Sequence, residues 1–337
     1  MFNKICVLGC GLIGSSLLRA IDKKKLAKEI SAFDKSKDVS AYLVKNFSFN
    51  IAKSTEEAVK DSDLVIISSP LSSYKEILLS MKSSLKKNVI LTDTGSAKKE
   101  VNKVISNLNL DGVNWIASHP IAGTEFSGPE AGFAELFENR WCILSADKSI
   151  SKDEISKLEK FWSDLGSKVK LMSFEQHDYV LSLTSHLPHA VAYSIVKTAI
   201  NDDDKFKNDI IQYSAGGLRD FTRIAASDPL LWRDIFIDNS ENILKVLNYY
   251  SKNLDEISSL EILLSADNIH HRFSNSSANP ASGPLNSVPA IGCEAIQLIP
   301  SKFKLLIILF TSFFAEPVSV KITFFFKLDF IESKISL

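Results

Sequence analysis

The run Val7-Leu8-Gly9-Cys10-Gly11-Leu12-Ile13-Gly14 constrains this chain more than any other feature. It follows residues 3–8, a short apolar segment that reads as a buried strand, and opens a helix read from about Gly11 to Lys24. In that setting each glycine of G-x-G-x-x-G has a task. Gly9 permits the tight turn, Gly11 lets the backbone approach a pyrophosphate, and Gly14 lets helix and strand pack closely. The helix start, with Leu12 and Ile13, offers unpaired N–H groups to phosphate oxygens. Asp34 follows Gly14 by about 20 residues, at the end of the next strand, where its carboxylate can accept from ribose hydroxyls. Such a carboxylate repels a 2′-phosphate, so NAD is the expected cofactor. Lys35 and Lys37 are the features that would instead suit NADP. Ser69 and Pro70, at the end of the third strand, complete the expected cofactor contacts.

The pattern around this motif predicts the fold. Strands are expected at Ile30 to Asp34, Leu64 to Ser69, Asn88 to Asp93, Trp115 to Ser118, Trp141 to Ser145 and Lys168 to Met172. Helical patterns fall at Thr55 to Lys60 and Tyr74 to Leu85. This alternation implies a parallel sheet with helices on both faces. Beyond residue 172 only helices are expected: Phe174 to Leu183, Pro188 to Ile200, Lys207 to Tyr213, Pro229 to Tyr250 and Leu254 to Leu264. The class is therefore α/β, a doubly wound Rossmann sheet over 1–172 followed by an all-helical domain over 173–264. Residues 265–337 form an atypical tail, rich first in Ser, Pro and Asn and then in Phe and Ile.

Composition excludes some functions. A net charge of −1 argues against nucleic-acid binding. The apolar run Leu305 to Phe314 is too short for a membrane span, which needs roughly 18 to 20 apolar residues. The four cysteines, Cys6, Cys10, Cys142 and Cys293, show neither metal nor disulfide spacing, so no metal is expected and a reducing cytoplasm fits. His186 and His189 lack a third ligand. Asp202-Asp203-Asp204 reads as a solvated loop.

Four further segments carry the chemistry. They are Asp93-Thr94-Gly95-Ser96-Ala97-Lys98, Ser118-His119-Pro120-Ile121-Ala122-Gly123-Thr124-Glu125, Ser185-His186-Leu187-Pro188-His189 and Asp220-Phe221-Thr222-Arg223-Ile224-Ala225. Together they closely resemble the prephenate/arogenate dehydrogenase family of tyrosine biosynthesis, over about residues 3 to 260. The resemblance implies a Rossmann domain, a helical dimerisation domain and a homodimer. It also implies oxidation of a cyclohexadienol by NAD⁺ with loss of CO₂.

That reaction needs a proton acceptor at the hydroxyl, a cation for the carboxylates and alignment against the nicotinamide. His119 is the expected acceptor, because neutral imidazole is available at cellular pH. Ser96, by resemblance, hydrogen-bonds near it; the competing reading is a helix cap. Arg223 is expected to bind a substrate carboxylate bidentately, the alternative being an ion pair with Asp220. His189, at a helix start, is expected to line the substrate pocket. His186, Thr124 and Glu125 join the substrate residues, His186 with a structural role as its alternative. Trp232-Arg233-Asp234 reads as helix packing or dimer contact, and His177 as surface or domain interface.

Prephenate is the expected substrate. Arogenate, which carries an amino group in place of the side-chain keto group, is the alternative, and dual specificity another. A β-hydroxyacid dehydrogenase would need a catalytic lysine, which Ser214-Ala215-Gly216-Gly217-Leu218-Arg219 does not offer. A catalytically damaged NAD-binding protein is the non-enzymatic rival. It is motivated by the loss of pattern near residue 260, where a shifted reading frame would explain the tail.

Overall fold

The computed structural model describes residues 2–124, 126–201 and 207–258. The tail and Asp202-Asp203-Asp204 lie outside the described residues. The first half alternates strands and helices in chain order: β1 (Phe2–Leu8), α1 (Leu12–Lys23), β2 (Ala27–Phe33), α2 (Lys37–Asn46), β3 (Asn50–Ile51), α3 (Thr55–Val59), β4 (Leu64–Ile67), α4 (Tyr74–Met81), β5 (Val89–Asp93), α5 (Lys99–Asn107), β6 (Val113–Pro120), β7 (Trp141–Ala146), α6 (Lys152–Asp164) and β8 (Lys168–Leu171). Helices follow: α7 (Phe174–Leu181), a π turn (Ser182–His186), α8 (Leu187–Asn201), α9 (Lys207–Gln212), α10 (Gly216–Ala225), α11 (Pro229–Asp238) and α12 (Ser240–Ser258).

The sheet runs β3-β2-β1-β4-β5-β6-β7-β8. The first six strands are parallel, in the doubly wound order. β7 pairs antiparallel with β6, and β8 parallel with β7. The central strands read as unbroken apolar runs because both faces are covered. Every residue of β4 and β5 is buried. On one face Ile5, Val7 and Ile66 pack with Leu17 of α1 and Trp162 of α6. On the other, Cys6, Leu8, Val65 and Leu91 belong to a core that continues through Phe174, Tyr193 and Trp232. The helical region thus shares a hydrophobic core with the sheet.

Several elements depart from the sequence reading. β3, α2, α5 and α6 were not among the expected segments. The helix expected at Pro229 to Tyr250 is two, broken at Asn239, and the one expected from Leu254 is the end of α12. Asn239 leaves helical geometry (φ −114°, ψ 25°), and its buried side-chain amide donates to the Asp178 carbonyl at 2.7 Å. A tertiary contact therefore sets the break, and no local breaker residue announces it.

Removing Trp162, fully buried against Phe137 and Phe161, leaves a cavity between α6 and the sheet. Trp162→Ala is expected to lose about 3–5 kcal/mol in urea unfolding. A loss under about 1 kcal/mol would show that this face does not hold α6.

Candidate active site

The glycine turn is built by mutual contact. Gly9 has φ +85°, and a Cβ there would fall 2.7 Å from the Ser68 carbonyl oxygen. A Cβ on Gly14 would collide with the Gly9 carbonyl oxygen. Turn and packing glycines are thus required by the protein itself. Gly11 differs: a Cβ there would meet no protein atom within 4 Å. The opening in front of Gly11 is free for a ligand to approach the helix start, which is the role its position in the motif predicts. Leu12 and Ile13 turn their side chains onto the core, leaving their amides at the helix N-terminus.

Asp34 stands just past the end of β2. One carboxylate oxygen accepts from the Cys10 amide at 2.7 Å and the other from the Ser36 amide at 2.8 Å. It therefore braces the glycine turn, a task the sequence did not reveal. Each oxygen retains a second acceptor site. Lys35 pairs with Glu76 at 3.5 Å. Ser69 sits beside Gly9, its hydroxyl donating to the Leu8 carbonyl at 3.4 Å, and Pro70 starts the turn into α4. The cradle fits a dinucleotide on these grounds.

The second half of the site lies three strands away on the same sheet edge, about 14 Å at roughly 4.8 Å per strand. His119 lies within β6, which runs on to Pro120, rather than after the strand as expected. It keeps only 8% of its surface. Burial lowers its pKa well below the usual 6.5, and His177, Lys98 and His186 push the same way. The imidazole is neutral. Its Nδ1 lies 2.9 Å from Nε2 of His177, whose Nδ1 lies 2.8 Å from the Asp178 carboxylate. His177 is fully buried, not on the surface. It lies at the domain interface, the other half of its expected placement, in direct contact with the candidate base. Asp178 also accepts from the amides of Lys98 (2.9 Å) and Lys99 (2.8 Å), capping α5.

That cap corrects the competing reading of Ser96. The N-cap position of α5 is Lys98, and its amides are satisfied by Asp178, so Ser96 is not the cap. Ser96 lies instead in the loop between β5 and α5. Asp93 anchors that loop: it accepts from the Gly95 amide (3.0 Å), the Ser118 amide (3.1 Å), the Tyr74 hydroxyl (3.1 Å) and the Lys98 ammonium (2.6 Å). The Asp93–Lys98 pair is wholly buried. Two lone charges there would each cost several kcal/mol, so the pairing and the added donors are obligatory.

The remaining candidates come from the helical region. The π turn adds roughly one residue to the helix between His177 and His186, turning the following face by about 100°. It brings His186 near His177 and Asp178. His186 is buried; the Asn239 amide lies 3.0 Å from its Nδ1, and its Nε2 has no hydrogen-bond partner. Burial takes its pKa down to about 3. The structural alternative for His186 thus has a concrete basis. His189, in the first turn of α8, bonds the Ser185 carbonyl through Nδ1 at 3.0 Å and stacks on Trp232 with ring centres 3.5 Å apart. Trp232 is therefore a packing residue of α11. Arg223 is exposed on α10, which packs against α8. Thr124 is exposed in the loop after β6 and exchanges hydrogen bonds with the Phe126 backbone. Glu125 lies outside the described residues. The structure thus brings His119, His177, His186 and His189 together across one interface, while Thr124 and Arg223 are exposed. Among the described residues no three His, Cys, Asp or Glu side chains are placed to hold a metal, and no helix is long and apolar enough to cross a membrane.

Comparison with known proteins bears directly on this arrangement. Residues 17–171 match the model of the prephenate dehydrogenase nucleotide-binding domain, and residues 173–273 that of the prephenate dehydrogenase dimerization domain. This chain belongs to the prephenate dehydrogenase family. A cyclohexadienyl dehydrogenase of Zymomonas mobilis subsp. mobilis is 39% identical over 76% of this chain and 88% of its own. A prephenate dehydrogenase of Bacillus subtilis is 31% identical over 81% of this chain and 74% of its own. The solved prephenate dehydrogenase from A. aeolicus, in complex with hydroxyphenyl propionate and NAD⁺, superposes with a TM-score of 0.75. It is 31% identical and covers 82% of this chain and 96% of its own. Family membership thus rests on both halves of the chain, and the dimerization-domain match runs past the described helices.

Asp238, at the end of α11, shows how crowded with acids this junction is. Burial raises its pKa to about 6, with Asp234, Glu100 and Asp178 adding to the shift. The folded state therefore holds the proton more tightly than the unfolded one. Its stabilising effect is complete below about pH 4 and is lost as pH rises through 6. Asp238→Asn should raise Tm at pH 7.5 and leave it nearly unchanged at pH 4. Equal effects at both values would remove the carboxylate as the cause.

Proposed function

We propose that this chain oxidatively decarboxylates prephenate to 4-hydroxyphenylpyruvate, with NAD⁺ as oxidant, working as a homodimer through its helical region. The observation that carries the reading is a neutral, buried His119 on the same sheet edge as the dinucleotide cradle. The family matches and the NAD⁺ in the A. aeolicus enzyme support it.

The residues divide the work as follows. Gly9, Gly11, Gly14, Leu12 and Ile13 would hold the pyrophosphate, Asp34 the ribose, and Ser69 with Pro70 the near wall. NAD⁺ bound there supplies the hydride acceptor. His119 takes the proton of the substrate hydroxyl as hydride leaves the same ring carbon. The ring carboxylate then departs as CO₂, its bonding electrons complete the aromatic ring, and His119 returns the proton to the phenolic oxygen. Ser96 would orient that hydroxyl. Arg223, with His189 and Thr124, would hold the carboxylates at the margin of the site. Glu125 belongs to the same segment of sequence as Thr124.

Arogenate is the second reading, favoured by one observation: the Z. mobilis relative is a cyclohexadienyl dehydrogenase. NADH formation with prephenate and with arogenate in parallel separates the two. His119→Ala should lower kcat about 10²–10⁴-fold. Arg223→Ala should raise KM roughly ten- to a hundredfold, the value of a charge-assisted pair. Because His119 is depressed, the acid limb of kcat/KM should lie below pH 6.5. Undiminished activity in His119→Ala, or no activity with either substrate, would overturn the assignment.

A further inference from the structure

The proton acceptor proposed above needs a lone pair on one particular nitrogen. A neutral imidazole carries its single proton on either Nδ1 or Nε2, and nothing intrinsic to the ring holds it in the useful form. The hydrogen bonds behind His119 settle which form is present. Asp178 is a carboxylate held below the usual range, against the opposing effect of burial, by its bonds to His177 and to the Lys99 and Lys98 amides. It can only accept. The Nδ1 of His177, 2.8 Å away, must therefore carry the proton. His177 is neutral in its buried position, so its Nε2 bears a lone pair. The Nδ1 of His119, 2.9 Å from that lone pair, must in turn donate. The Nε2 of His119 is left as the acceptor.

We infer that Asp178 and His177 are positioning residues that fix the tautomer of His119 and so place its lone pair on Nε2. This rests on the reading of His119 as the base. The arrangement extends the logic of a carboxylate behind a catalytic histidine by one further imidazole. It also gives the proton taken up during turnover a stabilising path, since the His119 imidazolium then donates to His177, which donates to Asp178.

The geometry suits this task. Asp178 is fixed from three directions: its side chain caps α5, its carbonyl receives the Asn239 amide, and His177 lies on the same turn of α7. Lys98 and His186 are the other titratable groups that act on His119, and both disfavour its charged form. They keep the ring neutral, but neither selects the nitrogen. Among the described residues the selection comes from the His177–Asp178 chain.

Asp178→Asn tests the inference directly. An amide keeps the size of the carboxylate; with its oxygen on the Lys99 amide, its NH₂ takes the place of the oxygen that accepts from both the Lys98 amide and His177 Nδ1. Its NH₂ would face His177 Nδ1 as a donor, reverse the His177 tautomer, and force the proton of His119 onto Nε2. The experiment uses the full chain with ¹⁵N-labelled histidine and reads imidazole tautomers by NMR, assigning the rings with His119→Ala and His177→Gln. In parallel it measures kcat, KM and NAD⁺ affinity. The wild type should show His119 protonated on Nδ1, and Asp178→Asn should move the proton to Nε2. kcat should fall at least about 100-fold, with KM and NAD⁺ affinity within a few-fold. A wild-type His119 protonated on Nε2 would overturn the inference, and that spectrum decides the matter even if the variant fails to fold. So would a folded variant whose kcat stays near wild type. Absence of activity in the wild type with either substrate would instead sink the functional reading, while the tautomer spectrum still answers the structural question.

Discussion

The carboxylate of Asp178 is the point on which the two halves of this molecule meet. It comes from α7, yet it caps α5 of the sheet region and anchors the ring behind His119. Its own backbone carbonyl receives the Asn239 amide between α11 and α12. A capping bond contributes about 1 kcal/mol alone. Here the same group satisfies two helix amides and a buried imidazole, so its loss would leave several buried donors unpaired. Burial of an acid at that position is tolerated because the Lys98 and Lys99 amides and His177 all donate to it.

A second buried acid plays the corresponding part inside the sheet region. Asp93 ends β5, and its carboxylate collects the Lys98 ammonium, the Tyr74 hydroxyl and two backbone amides. This ties the β5–α5 loop, with Ser96, to the strand that carries His119. The two acids therefore hold the loop and the base from opposite sides of the junction. Their spacing along the chain is large, and the hydrophobic core shared by Leu91, Phe174 and Trp232 is what brings them together.

Much of this was readable from local patterns. The glycine motif was legible because its demands are local: a turn with φ +85° at Gly9 and a close approach at Gly14 leave few other residues possible. The strands of the first half were legible because both faces are buried, which makes them apolar throughout. α6 could have been found as well. Ser151 followed by Glu154 is a capping-box spacing, and Ser151 does cap the helix. α5 could not, since its cap comes from a residue some 80 positions away. His177 was passed over for the same reason. A lone histidine next to an aspartate carries no local sign of what lies against its far nitrogen.

The sequence by itself determined the class of the fold, the place of the nucleotide cradle and the identity of the candidate base, because periodicity, turn chemistry and short motifs act between neighbours in the chain. Tertiary structure alone decided the rest. It chose which histidines touch, where α11 ends and α12 begins, and how far His119 is withdrawn from water. These depend on burial and on partners distant in sequence, and the free energy of a buried charge or hydrogen bond is set by what surrounds it in space.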